Sequence, residues 1–243
     1  MEYSQIIKYS GPHPRNGSLD WCPSDSEELY LKNLKERPGD KTLLFYKNNP
    51  IKYQFNNFGF RTPDDFNSED SGNIFLGCSM TFGIGHHLEN TWAYKLNKLI
   101  GGKFWNLSLG GTGIMTASRL LFGFKDMLKT KNVFHLRSKF MRYEFLSEDR
   151  IFDCNTWSTE DPFFIENLFT DNHMNITYDI HSLAIERICQ MMGCNYYHLD
   201  NPDFSIDAEG RHNIGARDLM HPSIEWNEYI KDEFYKKLTG IHS

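Results

Sequence analysis

Ser79 lies in the stretch FLGCSMTFGIG, residues 75 to 85, between glycines and directly after a short apolar run. A serine hydroxyl becomes a nucleophile when a base within hydrogen-bond reach takes its proton and a carboxylate orients that base. The chain offers both groups in ARDLMHPS, residues 216 to 223, where Asp218 and His221 stand three residues apart. A single turn of backbone can bring that carboxylate to one imidazole nitrogen, and Pro222 stops the turn there. The other nitrogen is left to accept the Ser79 proton. Taken singly, each residue has a plainer reading: Ser79 as a helix-capping turn serine, Asp218 as an N-cap, and His221 with Asp218 as a structural pair.

These residues need a scaffold that brings residues 79 and 221 together. From residue 73 onward short apolar runs alternate with amphipathic segments, which predicts a parallel sheet joined by right-handed crossovers. Strands are expected at 73–77, 103–109, 132–138 and 194–200. Helices are expected at 91–102, 113–129, 176–193 and 223–238, with an irregular aromatic and acidic stretch between 139 and 176. Ligands of such sheets collect at the carboxyl ends of the strands. Ser79, the glycines at 110 to 113 and the segment after Leu199 all follow strand ends, so they are expected to converge on one edge.

Residues 1 to 70 read differently. They are rich in Pro, Asn, Asp and Lys, and SEELYLKNLKERPGD is the one stretch that looks helical, from the Ser26 N-cap to the Pro38-Gly39 stop. The division expected is an N-terminal appendage of short strands and turns over 1–70, packed on the core through Tyr53, Phe55, Phe58 and Phe60, and a main domain over 71–243.

The three blocks GxSxTFG at 77–83, NLSLGG at 106–111 and DLMHPS at 218–223, in that order, resemble the SGNH (GDSL-type) hydrolase family. The resemblance implies a flavodoxin-like three-layer α/β/α fold with a mainly parallel sheet. It also implies hydrolysis of esters, including acetyl groups on sugars, without a cofactor. Residue by residue, Ser79 matches the nucleophile, Asp218 and His221 the rest of the triad, and Gly111 the glycine whose N–H joins that of Ser79 in the oxyanion hole. A glycine there lets the backbone approach the oxyanion closely.

Two departures stand out. Cys78 occupies the place of the family's usual aspartate before the serine, and FHLRSKFMRYE replaces the Gly-x-Asn block after the third strand. Ser138 or Arg142 would then have to supply the missing oxyanion donor, or the hole is weaker. A guanidinium suits that task, although Glu144 or Asp149 is a competing structural partner for Arg142.

The rest of the sequence narrows the class. The net charge of −6 comes without a basic stripe and argues against a nucleic-acid partner. No run approaches the length of a membrane span, and the start MEYSQIIKYS lacks a signal-peptide pattern, so a cytoplasmic protein is expected. Five cysteines without a CxxC pair and ten dispersed histidines point to neither disulfides nor a metal. The glycine runs do not complete a nucleotide fingerprint, because Thr116 and Leu88 stand where a third glycine is wanted. Cys78 is a candidate thiol, but strand alternation turns it away from the face of Ser79. Trp157, Phe163 and Phe164 are candidates to stack on a sugar or acyl group, or to pack as a lid.

The expected function is that of a serine hydrolase acting on a small-molecule or carbohydrate ester, with no cofactor. The alternative is a catalytically silent module of the same fold that binds a glycan or serves in assembly. The sequence leaves the oligomeric state open.

Overall fold

Every strand of the central sheet carries apolar side chains on both faces, and the fold follows from covering both. The computed structural model describes residues 12–138, 142–146, 151–155, 160–202 and 215–240. Strands β3 (Ser71–Leu76), β4 (Lys103–Asn106), β5 (Lys129–Arg137) and β8 (Asn195–Asp200) form a parallel sheet in the order β4-β3-β5-β8. Side chains alternate across it. Ile74, Leu76, Trp105 and Val133 pack on one face with α5 (Ile114–Phe124) and α6 (Asp171–Met192). Phe75, Phe104 and Phe134 pack on the other with α4 (Trp92–Ile100) and α7 (Ile224–Thr239). There Trp92 stacks on Phe234 with centroids 4.7 Å apart. The result is a three-layer α/β/α arrangement consistent with a flavodoxin-like fold.

The helix starts follow local chemistry. Thr91, Thr170 and Ser223 each accept a backbone N–H as side-chain N-caps of α4, α6 and α7. Gly193 and Gly240 close α6 and α7 in the left-handed conformation. Strand β4 stops at Asn106, short of the expected 109. Its side chain accepts from Ser108 N at 3.1 Å and donates to the carbonyls of Arg61 and Thr81, so the chain turns away from the ladder.

The N-terminal region holds more helix than expected. Besides α1 (Glu27–Glu36), a second helix α2 (Lys41–Asn48) starts at Asp40, whose carboxylate accepts from Thr42 N and Leu43 N. The Pro38-Gly39 pair that stops α1 thus leads straight into a new N-cap. A two-residue ladder joins β1 (Ser18–Leu19) to β2 (Tyr53–Gln54). Tyr53 and Phe55 share a third apolar cluster with Phe82 and Ile84, whereas Phe58 and Phe60 pack with Phe66 and Phe124 on the α5 side.

The stretch expected to be irregular contains an antiparallel hairpin, β6 (Arg142–Leu146) with β7 (Ile151–Asn155), followed by a π-helical turn at Phe164–Leu168. Among the described residues no helix is long and apolar enough to cross a membrane.

Candidate active site

Ser79 opens a single helical turn, α3 (Ser79–Phe82), at the carboxyl end of β3, and Gly83 ends it at φ 83°. The serine is 7% exposed. Its N–H precedes the first backbone donor of the turn, Thr81 N, which bonds the Cys78 carbonyl. Cys78 is buried in the cluster on the α4–α7 face with Phe75, so its side chain belongs to the core, although strict alternation would place it with Ile74 and Leu76; the strand ends at Leu76 and Gly77 intervenes at φ 152°. The Ser79 hydroxyl meets Cys78 Sγ at 4.0 Å; among the described residues no hydrogen bond joins it to His221.

Asp218 and His221 do pair. His221 Nδ1 lies 2.7 Å from Asp218 Oδ2, and the other carboxylate oxygen accepts the N–H groups of Met220 and His221 at 3.0 and 3.2 Å. The turn that makes this possible is strained: Leu219, a bulky residue, sits at φ 55°. Asp218 is 1% exposed. Burial works against its ionisation, but the bond and charge of His221, the Met220 N–H and the hydroxyl of Ser24 outweigh it and hold the carboxyl below its ordinary range.

The two loops touch directly. Arg217 N donates to Gly85 O at 2.9 Å, and a side chain at Gly85 would begin 2.7 Å from Ala216 Cβ. Gly85 itself stands at φ 74°, a conformation and a clearance that glycine alone meets without strain. His86 closes the junction. Its Nε2 lies 2.7 Å from the Pro222 carbonyl, which can only accept, so Nε2 carries the proton and Nδ1 accepts from Tyr46 Oη at 3.1 Å. Burial, aided by Arg61 and His221 against the pull of the Pro222 carbonyl, lowers the His86 pKa to about 4.

Three groups not anticipated from the sequence hold these loops. Arg61 is buried, donates to the carbonyls of Phe82, Gly83 and His86, and lies 4.3 Å from the centroid of Tyr53. Arg217 forms a buried bidentate pair with Asp25, which also accepts from the Tyr53 hydroxyl. The Arg217 guanidinium stacks 3.8 Å over Trp21. From the same N-terminal segment Ser24 Oγ donates to Asp218 Oδ2 at 3.1 Å, and Asn33 Nδ2 to the Asp218 carbonyl at 3.3 Å. The sequence marks these residues as charged or polar, and nothing in their spacing pairs partners some 190 positions apart.

On the other side, Gly110 lies against the loop that follows Ser79, where a Cβ would meet Ile84 at 3.0 Å. Gly111 follows at φ 80° with no atom within 4 Å of a Cβ position. Thr112 Oγ1 bonds the Leu109 carbonyl, and Arg142 Nη1 donates to the Thr112 carbonyl at 2.9 Å. Glu144 is not the partner expected for Arg142: Arg119 takes it bidentately at 2.6 and 2.9 Å, with Thr116 as third donor. Asp149 lies outside the described residues. Ser138 is buried after β5 and lines a small pocket with Arg142, Tyr143 and Tyr178.

Of the aromatic candidates, Phe163 is 61% exposed and Phe164 packs edge-on against Phe145, while Trp157 lies outside the described residues. Among the described residues no group of three or more His, Cys, Asp or Glu is placed to hold a metal ion.

No sequence family and no curated protein matches the chain. Among the solved structures similar to it, three illustrate the likeness, all at low identity. One is a carbohydrate esterase whose active site is described as displaying divergent catalytic and non-catalytic binding functions; it is 11% identical over 71% of this chain and 69% of that one, with a TM-score of 0.37. A family two carbohydrate esterase from Cellvibrio japonicus is 10% identical over 73% and 63%, with a TM-score of 0.35. An acetyl xylan esterase from the rumen bacterium Butyrivibrio proteoclasticus is 12% identical over 71% and 65%, with a TM-score of 0.37. The chain spans less than two thirds of the length of the latter two.

Proposed function

We propose that the protein is a serine esterase that removes a small acyl group, acetyl in the first instance, from a small-molecule or carbohydrate alcohol. The observation that carries this reading is the buried Asp218 carboxylate bonded to His221 Nδ1, in a turn hydrogen-bonded to the loop that Ser79 opens. In this reading Ser79 Oγ attacks the ester carbonyl and passes its proton to His221 Nε2. Asp218 stabilises the imidazolium and fixes its tautomer. The N–H groups of Ser79 and Gly111 hold the oxyanion, each donor contributing about 3 to 4 kcal/mol. Arg142 and Ser138 stand at the place of the missing asparagine, and Arg142 fixes the glycine loop through the Thr112 carbonyl. His221 returns the proton to the departing alcohol, and water, activated by the same imidazole, then hydrolyses the acyl-enzyme. The Ser79–His221 hydrogen bond absent from the free protein is one that substrate binding commonly tightens.

The acetylated-sugar substrate class rests on the three sequence blocks. A second reading, a silent module that binds a glycan or serves in assembly, draws on that absent hydrogen bond and on the missing third block.

Hydrolysis of p-nitrophenyl acetate and labelling by a fluorophosphonate separate the two. The wild type and Cys78→Ala are expected to turn over and label. Ser79→Ala is expected to lose labelling and to drop kcat by roughly 10³-fold or more. Turnover that survives Ser79→Ala, or a wild type that neither turns over nor labels, sinks the esterase reading.

A further inference from the structure

The turn that packs on Asp218 contains a residue in an unexpected conformation. Cys22 and Asp25 exchange both backbone hydrogen bonds, at 3.1 and 2.9 Å, with Pro23 and Ser24 between them. Pro23 suits the first central position of a type II turn, and the second requires a positive φ and ordinarily takes glycine. Ser24 stands there at φ 70°. A serine in a glycine position retains a backbone strain that glycine would relieve, and its hydroxyl is committed to Asp218 Oδ2 at 3.1 Å. That oxygen is the one that binds His221 Nδ1 at 2.7 Å. The next residue, Asp25, grips Arg217, so the turn is clipped to the Asp218 segment at two adjacent points.

We propose that Ser24 is a positioning residue of the active site, supplied by the N-terminal segment, which orients the Asp218 carboxylate and thereby tunes the basicity of His221. The inference rests on the esterase reading for its consequence in catalysis. A carboxylate accepting two charge-assisted hydrogen bonds on one oxygen is held in one rotamer, and sharing its charge with Ser24 weakens its pull on the imidazolium. Removing the hydroxyl concentrates that charge on His221, which then holds its proton to higher pH, while the carboxylate loses one of its restraints. The other groups facing this pair are His86 from the nucleophile loop, Arg61 after β2, Tyr46 on α2, and Asp25 with Arg217 beside it. None of them is altered by a change at Ser24.

Ser24→Gly isolates the effect, because glycine takes φ 70° freely and removes only the hydroxymethyl group. Ser24→Asn restores a donor in a residue that tolerates the same backbone. The experiment titrates the His221 ring by ¹⁵N NMR in the full-length wild type and both variants, beside thermal unfolding and the pH profile of p-nitrophenyl acetate hydrolysis. Ser24→Gly is expected to melt no lower than wild type and to lose about 5- to 10-fold in kcat/KM. The His221 titration and the acid limb of the profile should both move up by roughly half a pH unit, with Ser24→Asn lying between.

An unchanged titration in Ser24→Gly overturns the inference, and so does an activity loss matched by a fall in melting temperature. The NMR arm needs no turnover. A wild type without Ser79-dependent activity therefore fails the esterase reading separately, while the titration still decides the link from Ser24 to His221.

Discussion

Asp218 and Gly111 belong to two halves of one sheet edge, and they are held in opposite ways. Around Asp218 the restraints are side chains carrying charge or hydrogen bonds: Ser24, Asn33 and His221 on the residue itself, and the Asp25–Arg217 pair one position away. Most of these come from the first 33 residues and reach across the molecule. Around Gly111 the restraints are backbone geometry: a positive φ, a Thr112 hydroxyl on the Leu109 carbonyl, and one guanidinium on the Thr112 carbonyl. Under the proposed mechanism the difference follows from what each half would have to deliver. A carboxylate and an imidazole must be oriented against water and against each other, which takes buried polar partners. An oxyanion donor is an N–H group, which needs only the backbone of a glycine turn to be held in place. Substitutions in the first half should therefore damage stability and activity together, and those in the second should separate them.

The largest effect is expected at Asp25. It is fully buried, accepts from Arg217 and from the Tyr53 hydroxyl, and is the carboxylate bonded to that guanidinium. Asp25→Asn leaves the guanidinium buried without its counter-charge, a loss of about 3 to 5 kcal/mol. Urea unfolding measures it. Arg217→Met in the same chain should recover part of the loss, because the stranded charge is then removed as well. A drop below about 1 kcal/mol for Asp25→Asn would show that the clip on the Asp218 segment is dispensable.

Next in size is a pH effect centred on His86. Its folded pKa of about 4 lies below the ordinary value of 6.5, so it is neutral in the folded protein and takes up a proton first in the unfolded chain. Stability is therefore full above pH 6.5 and is lost as the pH falls towards 4, by about 3 kcal/mol over the whole window. His13, lowered to about 4, and His135, lowered to about 3, act in the same direction, burial being the main cause for each. Replacing His86 by Gln should flatten the wild-type slope between pH 6.5 and 4 without abolishing it. An undiminished slope would mean that the residue is not held neutral between Tyr46 and Pro222.

The same contrast explains what the sequence reveals. The sheet and its flanking helices are legible because apolar runs, cap residues and terminal glycines lie next to one another in the chain, as at Thr91, Ser223 and Gly193. The Asp218–His221 pair is legible for the same reason, since both partners sit within one turn. What escapes is the bracing from a distance. Helix α2 hides behind the Pro-Gly that ends α1, and the β6–β7 hairpin falls in a stretch without clean alternation. Glu144 looks like a neighbour for Arg142 in sequence and shares its face of β6, yet Arg119 on α5 takes both of its carboxylate oxygens while Arg142 donates to the Thr112 carbonyl, partners that the spacing along the strand does not show.

The smallest stability effect, and the sharpest separation, is expected at Gly111. A methyl group added there meets no atom within 4 Å, so Gly111→Ala costs only the left-handed backbone at φ 80°, about 1 to 2 kcal/mol. For a domain of this size that lowers the melting temperature by roughly 2 to 8 °C. Alanine relieves the strain by rotating the peptide, and the rotation swings the Gly111 N–H away from the place where an oxyanion would form. If that N–H is an oxyanion donor, kcat for p-nitrophenyl acetate should fall by about 10²-fold or more while KM changes little, because the lost interaction exists only in the transition state. A variant that keeps its kcat while showing the modest thermal shift would remove Gly111 from the oxyanion hole. The task would then fall to Ser79 N–H together with the Ser138 and Arg142 side of the edge, and the backbone-built half of the site would prove to be side-chain-built after all.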